Sequence, residues 1–384
     1  MRPNLFKRIL KRIGFKRLNI SARKIRYFSY LLLDAIGQII FLPFQLRTSM
    51  NYSKNSPIKI LIIRIDRIGD VILSTPAVRA LRNRFPEAEI HMLLSEYTKD
   101  LLIHNPYIDK LLLLKNDKLD KDYDLAFSLH PGLKQNYLTF YSGAKLRVGY
   151  TGWGGSFFLT HKLNDDRETR IRHEVNSALE VVSIVGAEIE DKHLDISITN
   201  DGEKYADEYF KKNHISDDDL TIIIHPGARQ AYIRWKAEGF AEVSEKLILE
   251  REAKVILIEG KNEKELVEYV SSLMKEKPLI ARDMSLTQLV SLTKRGDLFI
   301  GNSTGPMHIA AALKIPVVAI FGVTHPLDSY KEWGPWGEGH IIVSKELECG
   351  YCHPSDCNTY ECMKLITAEE VFKAAVKLIS ENNA

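Results

Sequence analysis

Residues 59–85 read KILIIRIDRIGDVILSTPAVRALRNRF. The opening residues, 59–65, form a nearly unbroken aliphatic run, as expected of a strand buried on both faces of a parallel sheet. A short charged loop follows, Asp66-Arg67-Ile68-Gly69-Asp70, and then apolar residues at helical spacing: Val71, Leu73, Val78, Leu81 and Phe85. A strand, a short Gly-containing loop and a helix form the unit with which α/β folds present ligands at strand C-termini. Asp70 falls at the predicted helix N-terminus, where the backbone dipole stabilises a carboxylate. From position alone it reads equally as a helix cap or as a reactive group.

The same alternation continues downstream. Residues 89–94, 110–114, 124–129 and 145–150 read as strands, the third ending at His130-Pro131-Gly132. Residues 97–104 and 173–185 read as helices, and the Gly- and aromatic-rich 150–158 as a loop. A helix at 201–212 precedes the acidic run Ser216-Asp217-Asp218-Asp219, where the pattern breaks and a domain boundary is expected. It then restarts with a strand at 220–224 running into His225-Pro226-Gly227-Ala228. A helix at 237–251, a strand at 254–259, an amphipathic helix after Met284 and a strand at 297–300 follow. Residues 316–321 read as a last strand and 367–380 as a closing helix. Strands alternating with helices at this spacing predict parallel, doubly wound sheets. A chain of 384 residues exceeds one ordinary core, so two α/β halves are expected.

Upstream, the composition changes. Residues 1–50 hold eleven Lys or Arg and a single acid, Asp34, whereas the rest of the chain holds 42 basic and 49 acidic side chains. A mildly acidic body therefore follows a strongly basic tail, and an electrostatic partner belongs to the tail. Leu5, Phe6, Ile9, Leu10, Ile13 and Phe15 are interleaved with Lys7, Arg8, Lys11, Arg12, Lys16 and Arg17. That is a basic amphipathic helix of the kind that lies on anionic lipid. Residues 30–46 are apolar but short and interrupted by Asp34, Gln38 and Pro43, which favours an interfacial or re-entrant anchor over a span. The alternatives are a tail packed on its own body or bound to RNA. Residues 51–57 form a polar linker.

Two loops carry binding chemistry. In 301–308, Gly301 and Gly305 allow close backbone approach, Ser303 and Thr304 offer hydroxyls, and the following helix offers free N–H groups to a phosphate. His308 adds a donor nearby. Neither the dinucleotide nor the P-loop glycine fingerprint is present, which disfavours an oxidoreductase. In the second loop, His225-Pro226-Gly227-Ala228-Arg229 makes a tight turn, and Arg229 and Arg234 are placed to grip a pyrophosphate. Trp235 has a core role as its plain alternative. Glu263 is suited to accept from ribose hydroxyls. All four cysteines, Cys349, Cys352, Cys357 and Cys362, cluster as C-x2-C-x4-C-x4-C, which reads as a zinc site, two local disulfides or free thiols.

The motifs RIDRIGDVILSTPAVRALR, HPGA…RW, GNSTGPMHIAAAL…PVVAIFG and C-x2-C…CM together resemble glycosyltransferase family 9, the heptosyltransferases that extend lipopolysaccharide core. The resemblance covers residues 58–378. It implies a GT-B architecture, two facing Rossmann-like domains with parallel sheets, here preceded by a basic amphipathic helical extension. The expected organisation is a 1–50 membrane-associating extension, a 56–215 acceptor domain and a 216–384 nucleotide-sugar domain, with the last helix able to pack back on the first. It also implies inverting, metal-independent transfer from a nucleotide sugar, usually ADP-heptose, with no cofactor. The Gly-Asp aspartate, here Asp70, is implied as general base. His225, Gly227, Arg229, Arg234, Glu263, Ser303, Thr304, Gly305 and His308 are expected to hold the donor. Arg79, Lys145 and Arg147 are expected to meet an anionic, lipid-linked saccharide acceptor.

Two positions depart from the family pattern. Ile233 stands where lysine is usual, leaving Arg229, Arg234 or Lys236 to carry the leaving-group charge. Ser303 stands where an acidic residue is frequent, so the donor sugar's hydroxyl contacts differ. The sequence thus predicts a glycosyltransferase peripheral to the cytoplasmic face of the inner membrane and without a nucleic-acid partner. Its alternatives are another nucleotide sugar or acceptor on the same fold, and a non-catalytic membrane-bound nucleotide-sugar binding protein.

Overall fold

The computed structural model describes residues 22–46, 58–167, 169–322, 328–347, 357 and 359–382. The tail residues 1–21, the linker 51–57, Cys349 and Cys352 lie outside the described residues. A long helix α1 (Ala22–Leu46) precedes two six-stranded sheets. In the first sheet the strands are β1 (Lys59–Arg64), β2 (Glu89–Leu94), β3 (Lys110–Leu113), β4 (Leu125–Ser128), β5 (Leu146–Tyr150) and β6 (His161–Leu163). They lie in the order β3-β2-β1-β4-β5-β6, and every pairing is parallel.

The second sheet repeats this plan. Its strands are β7 (Thr221–His225), β8 (Lys254–Ile258), β9 (Leu279–Ala281), β10 (Leu298–Asn302), β11 (Val317–Phe321) and β12 (His340–Ser344), ordered β12-β11-β10-β7-β8-β9 and again all parallel. In both halves the first strand sits beside the fourth, so chain direction across the sheet reverses there. That switch point leaves a crevice at the strand C-termini where neighbouring loops diverge, and it is where open α/β sheets take ligands. The central strands earn their place through composition. Ile60 to Ile63 and Ile222 to Ile224 are wholly buried, consistent with helices covering both faces of each sheet.

The predicted helix after β1 is two helices, α2 (Ile68–Leu73) and α3 (Thr75–Arg84), meeting at Ser74. Pro76 has no N–H to extend a helix behind it but fits the first turn of a new one. Other helices used below are α4 (Leu133–Tyr141), α5 (Glu174–Ser183), α6 (Asn200–Lys212), α7 (Ala237–Arg251), α8 (Lys264–Leu273), α9 (Leu286–Lys294), α10 (Gly305–Ala312), α11 (Tyr330–Trp333), α12 (Glu361–Lys364) and α13 (Ala368–Asn382).

Several expectations need correction. The last strand is β12, not 316–321. Its amphipathic HIIVS is only part-buried at the sheet edge, so it lacked the aliphatic signature of the inner strands. The short edge strands β6 and β9 escaped for the same reason. The segment at 97–104 is a 3₁₀ turn over 96–101. Helix α6 falls before the expected boundary at 216, yet Phe210 and Ile215 are buried in the second half's core, so packing places it there. The closing helix α13 buries Val371, Phe372, Ala375 and Leu378 in that same half and does not return to the first.

The halves share apolar contact. Val290, Ile309 and Ala312 from the second half are buried in the first half's core, with Trp333 and Trp336 packed against it. At the closest approach a Cβ on Gly69 of α2 would lie 2.4 Å from Cδ2 of His308 on α10, and one on Gly305 would lie 2.9 Å from Ile68. Gly69→Ala should therefore wedge the halves apart. We expect a loss of about 1–3 kcal/mol in unfolding free energy, the usual cost of overpacking, measured by urea denaturation. An unchanged midpoint would show that the seam yields without cost.

Candidate active site

The two switch points face one another across the seam between α2 and α10. On the first half, β1 ends in Arg64, whose guanidinium is wholly buried. Its Nε donates to the Asp70 carbonyl (3.0 Å), and its Nη2 to Asp70 Oδ1 (3.2 Å) and Glu174 Oε1 (2.6 Å). Nη1 donates to the Leu129 carbonyl at the end of β4. Glu174, the first residue of α5, also accepts from Arg167 Nη1 (3.2 Å), and Arg167 is fixed in turn by Asp165. Arg167 reaches Glu332 of the second half at 3.4 Å, so a chain of buried charge crosses the seam. Burial pushes the Glu332 carboxyl up to about 8, with Arg167 opposing the rise.

Asp70 occupies the third position of α2 and accepts the Arg67 backbone N–H through Oδ2 (3.2 Å). It therefore does cap its helix. Burial raises its pKa above the usual carboxylate range; Arg64 and His130 oppose that rise, while Asp66 and Glu174 add to it. A carboxylate held in place by a fixed guanidinium, with its proton affinity lifted by burial, suits proton abstraction. His130, in the turn after β4, was not singled out in the sequence as a site residue. Burial lowers its pKa, against the pull of Asp66, and it meets Trp153 edge-on with ring centroids 5.4 Å apart. The signal for it was present: His-Pro-Gly follows both β4 and β7.

On the second half, His225 ends β7 and bridges Thr304 Oγ1 (3.1 Å) and Glu263 Oε2 (2.9 Å). Burial alone would raise the Glu263 carboxyl, but His225 and the Gly260 N–H hold it below its ordinary value. Gly227 is required because the Glu263 carboxylate lies where its Cβ would be, 2.1 Å away. Asn302 clasps the two binding loops together: its Nδ2 donates to the Pro226 and Gly227 carbonyls (3.0 and 3.1 Å), and its Oδ1 accepts the Trp235 N–H (2.9 Å). Trp235 is core, its indole N–H donating to Ile366. Thr304 makes no side-chain cap to α10, Pro306 has no N–H and the Met307 N–H donates to the Thr304 carbonyl (3.1 Å), so the part-exposed Ser303, Thr304 and Gly305 are what this helix end presents to the crevice. An anion at a helix N-terminus is stabilised by those groups and the dipole.

Arg229 is exposed, and so is Arg67 across the seam; both sit in the electrostatic field of Tyr97 and Tyr232. They are the cations of the crevice without a described carboxylate partner. Arg234 donates Nε (3.1 Å) and Nη2 to the Ala228 carbonyl, so part of its fork shapes the loop that presents Arg229. His308 is buried, with burial dropping its pKa to about 3, so its ring brings no positive charge. Asp66 Oδ2, His130 Nδ1, His308 Nδ1 and Glu332 Oε2 near the seam are buried without a hydrogen-bond partner in the described structure, as are eight further side-chain atoms elsewhere among the described residues.

The expected acceptor cations are not in the crevice. Arg79 is buried and engaged by Asp195 (2.7 Å) and the Asp191 and His193 carbonyls. Arg147 is buried in β5, donating to the Phe158 and Ala144 carbonyls, with burial pulling its pKa to about 10. Lys145 precedes β5, at the opposite edge of the sheet, and pairs with Asp124 (3.0 Å). Arg79 and Arg147 are committed to the fold, whereas Lys145 keeps an exposed side chain away from the crevice. Among the described residues no group of three or more metal-ligating side chains is present. Cys357 accepts the Tyr360 N–H at 3.4 Å, and the rest of the cysteine cluster depends on Cys349 and Cys352, which are not described.

The profile of glycosyltransferase family 9 (heptosyltransferase) matches residues 114–362. Lipopolysaccharide heptosyltransferase 3 of Escherichia coli strain K12 is 28% identical over 349 residues, covering 82% of this chain and 96% of that protein. Among solved structures, a family 9 glycosyl transferase from Veillonella parvula matches with a TM-score of 0.76 at 25% identity, over 87% of this chain and 99% of that one. E. coli ADP-heptose lipopolysaccharide heptosyltransferase II matches with a TM-score of 0.70 at 20% identity, over 85% and 100%. These likenesses, with the paired parallel sheets, establish the GT-B fold.

Arg64 balances two carboxylates in the interior. Arg64→Met should cost about 3–5 kcal/mol of stability, because half-buried Asp70 loses its counter-charge and buried Glu174 keeps only Arg167. Urea unfolding at pH 7 and pH 5 checks this. The loss should shrink at the lower pH as the stranded carboxyls protonate, and a pH-independent loss would deny the charge explanation.

Proposed function

The chain belongs to glycosyltransferase family 9, and from that premise we propose that it transfers heptose, or a closely related sugar, from an ADP-sugar to a lipopolysaccharide-core or other lipid-linked saccharide. The observation that carries the reading is the opposition of a half-buried, guanidinium-pinned carboxylate, Asp70, to a crevice lined by Arg229 and the Ser303–Gly305 turn that opens α10. The nucleotide lies on the second half, with its ribose side toward Glu263 and its diphosphate toward Thr304, Gly305, Arg229 and Arg67.

In this reading the acceptor hydroxyl approaches from the first half. Asp70 takes its proton as the oxygen bonds to the anomeric carbon, and the bond from that carbon to the diphosphate oxygen breaks. The electron pair leaves with the diphosphate, which the guanidiniums and helix N–H groups stabilise. One displacement from the opposite face inverts the anomeric configuration. Charge stabilisation comes from these protein groups, so chelation by EDTA should leave turnover unchanged. A lipid-linked acceptor places the enzyme at the cytoplasmic face of the inner membrane, which the basic residues of the 1–50 extension support.

Asp70→Asn should lower transfer by about 10²–10⁴-fold, the usual scale of a general base, while calorimetry shows donor binding little changed. Undiminished turnover would remove Asp70 from the role. Because its pKa is raised, the basic form fills as pH climbs through that raised value, and kcat/KM should climb with it on the acid side. Glu174→Gln removes a charge that raises Asp70, so the acid limb should move to lower pH. Arg229→Ala should weaken ADP binding by about tenfold, the scale of a charge-assisted contact, with the pH limb in place.

A further inference from the structure

Helix α1 is built inside out. On an ordinary surface helix the apolar stripe faces the core and polar residues face water. Here the residues facing the body include Asp34 and Gln38, while every exposed position from 31 to 42 is Leu, Ile or Ala. Ile39 is 78% exposed, Leu32 64% and Ile40 60%, with Leu31, Leu33, Ile36 and Leu42 beside them.

The polar side is bolted down. Asp34 Oδ1 accepts the backbone N–H groups of Gly155 (2.7 Å) and Ser156 (3.1 Å), and Gln38 Oε1 accepts from Lys162 (2.9 Å). Phe41 stacks among Phe140, Phe157 and Phe158 at centroid distances of 5.0–5.3 Å, and Gly37 lets the helix settle on the Phe157 ring. The loop gripped by Asp34 also carries Trp153, whose ring lies edge-on to His130 beside Asp70. One short loop thus joins the apolar helix to the crevice mouth. Leu133, Tyr137 and Tyr141 on the neighbouring α4 extend the exposed apolar surface.

We propose that the outer face of α1 is a rigid lipid-docking surface, embedded in the interface of an anionic bilayer, which holds the crevice mouth at Trp153 and His130 against the membrane. Charge chooses the occupant. The helix begins with Arg23, Lys24 and Arg26 in its sequence and follows a segment holding Arg2 and six further cations from Lys7 to Arg17, a density that favours anionic headgroups over a second equally basic copy. No described helix is long and apolar enough to cross a membrane, which fits a helix lying in the plane. Tyrosines and tryptophan at the rim suit the headgroup layer.

The inference rests on the reading of a lipid-linked acceptor, and the experiment separates the two. Vesicle flotation with phosphatidylglycerol-containing and pure phosphatidylcholine vesicles is combined with transfer assays on one saccharide, presented bilayer-embedded or as its deacylated, water-soluble form. The full chain should float with the anionic vesicles. The triple variant Leu32→Glu, Ile36→Glu, Ile39→Glu should lose at least about tenfold in vesicle partition while its transfer to the soluble acceptor is unchanged. Asp34→Ala should still float, but its transfer to the embedded acceptor should fall relative to the soluble one, because the helix no longer fixes the mouth. Unchanged flotation of the triple variant overturns the lipid face. So does a vesicle-free dimer that the triple variant dissociates without losing flotation, since the face then belongs to a second copy. Equal transfer to both acceptors by Asp34→Ala overturns the orienting role. Absence of transfer to either acceptor by the unaltered chain counts against the transferase reading alone.

Discussion

A single buried guanidinium, Arg64, organises the first half. Arg64 is placed, wholly buried, at the end of a central strand, where desolvation of an unpaired charge would cost several kcal/mol. It is tolerable only because every side of its fork is answered: the Asp70 carboxylate and carbonyl, the Glu174 carboxylate and the Leu129 carbonyl. Those four partners come from the turn after β1, the start of α5 and the end of β4. The demand to neutralise one cation therefore sets the relative positions of three elements and of the carboxylate that faces the crevice.

The second half solves a different problem with neutral groups. Asn302 saturates two carbonyls of the turn after β7 and takes the N–H of Trp235, so two loops from neighbouring strands become one body. His225 adds a bridge between Thr304 and Glu263. These contacts leave the part-exposed turn of Ser303, Thr304 and Gly305 and the exposed Arg229 side chain at the crevice opposite Asp70. A carboxylate on one wall and cationic or polar donors on the other suit separation of a hydroxyl proton from a departing diphosphate. The seam that brings the walls together depends on Gly69 and Gly305, which admit His308 and Ile68 where a Cβ would block them.

Much of this was legible in the chain. The aliphatic runs at 59–65 and 220–224, the glycine loops and the helical periodicities gave two parallel α/β halves, and Asp70 and the 301–308 loop stood out because their residue types suit helix N-termini. Edge strands β6, β9 and β12 were not legible, since a strand half in solvent has neither the continuous aliphatic run nor the length of a central one. The expected acceptor cations Arg79 and Arg147 misled for a physical reason: a buried arginine engaged by carbonyls of its own fold looks, in one dimension, like one waiting for an anion.

Local sequence by itself determined the strand and helix types, the likeness of the two halves and the chemistry available at each strand end, because these depend on burial period and backbone geometry within a few residues. The tertiary structure alone decided which of those groups meet. That Asp70 is pinned by Arg64, that Glu174 of α5 and Glu332 of the other half join the same charge chain, that His130 lies beside it, and that α1 turns its polar residues inward all depend on contacts between residues far apart in sequence. Such contacts follow from how the halves pack, and only packing fixes whether a charge is spent on its own fold or left free for a ligand.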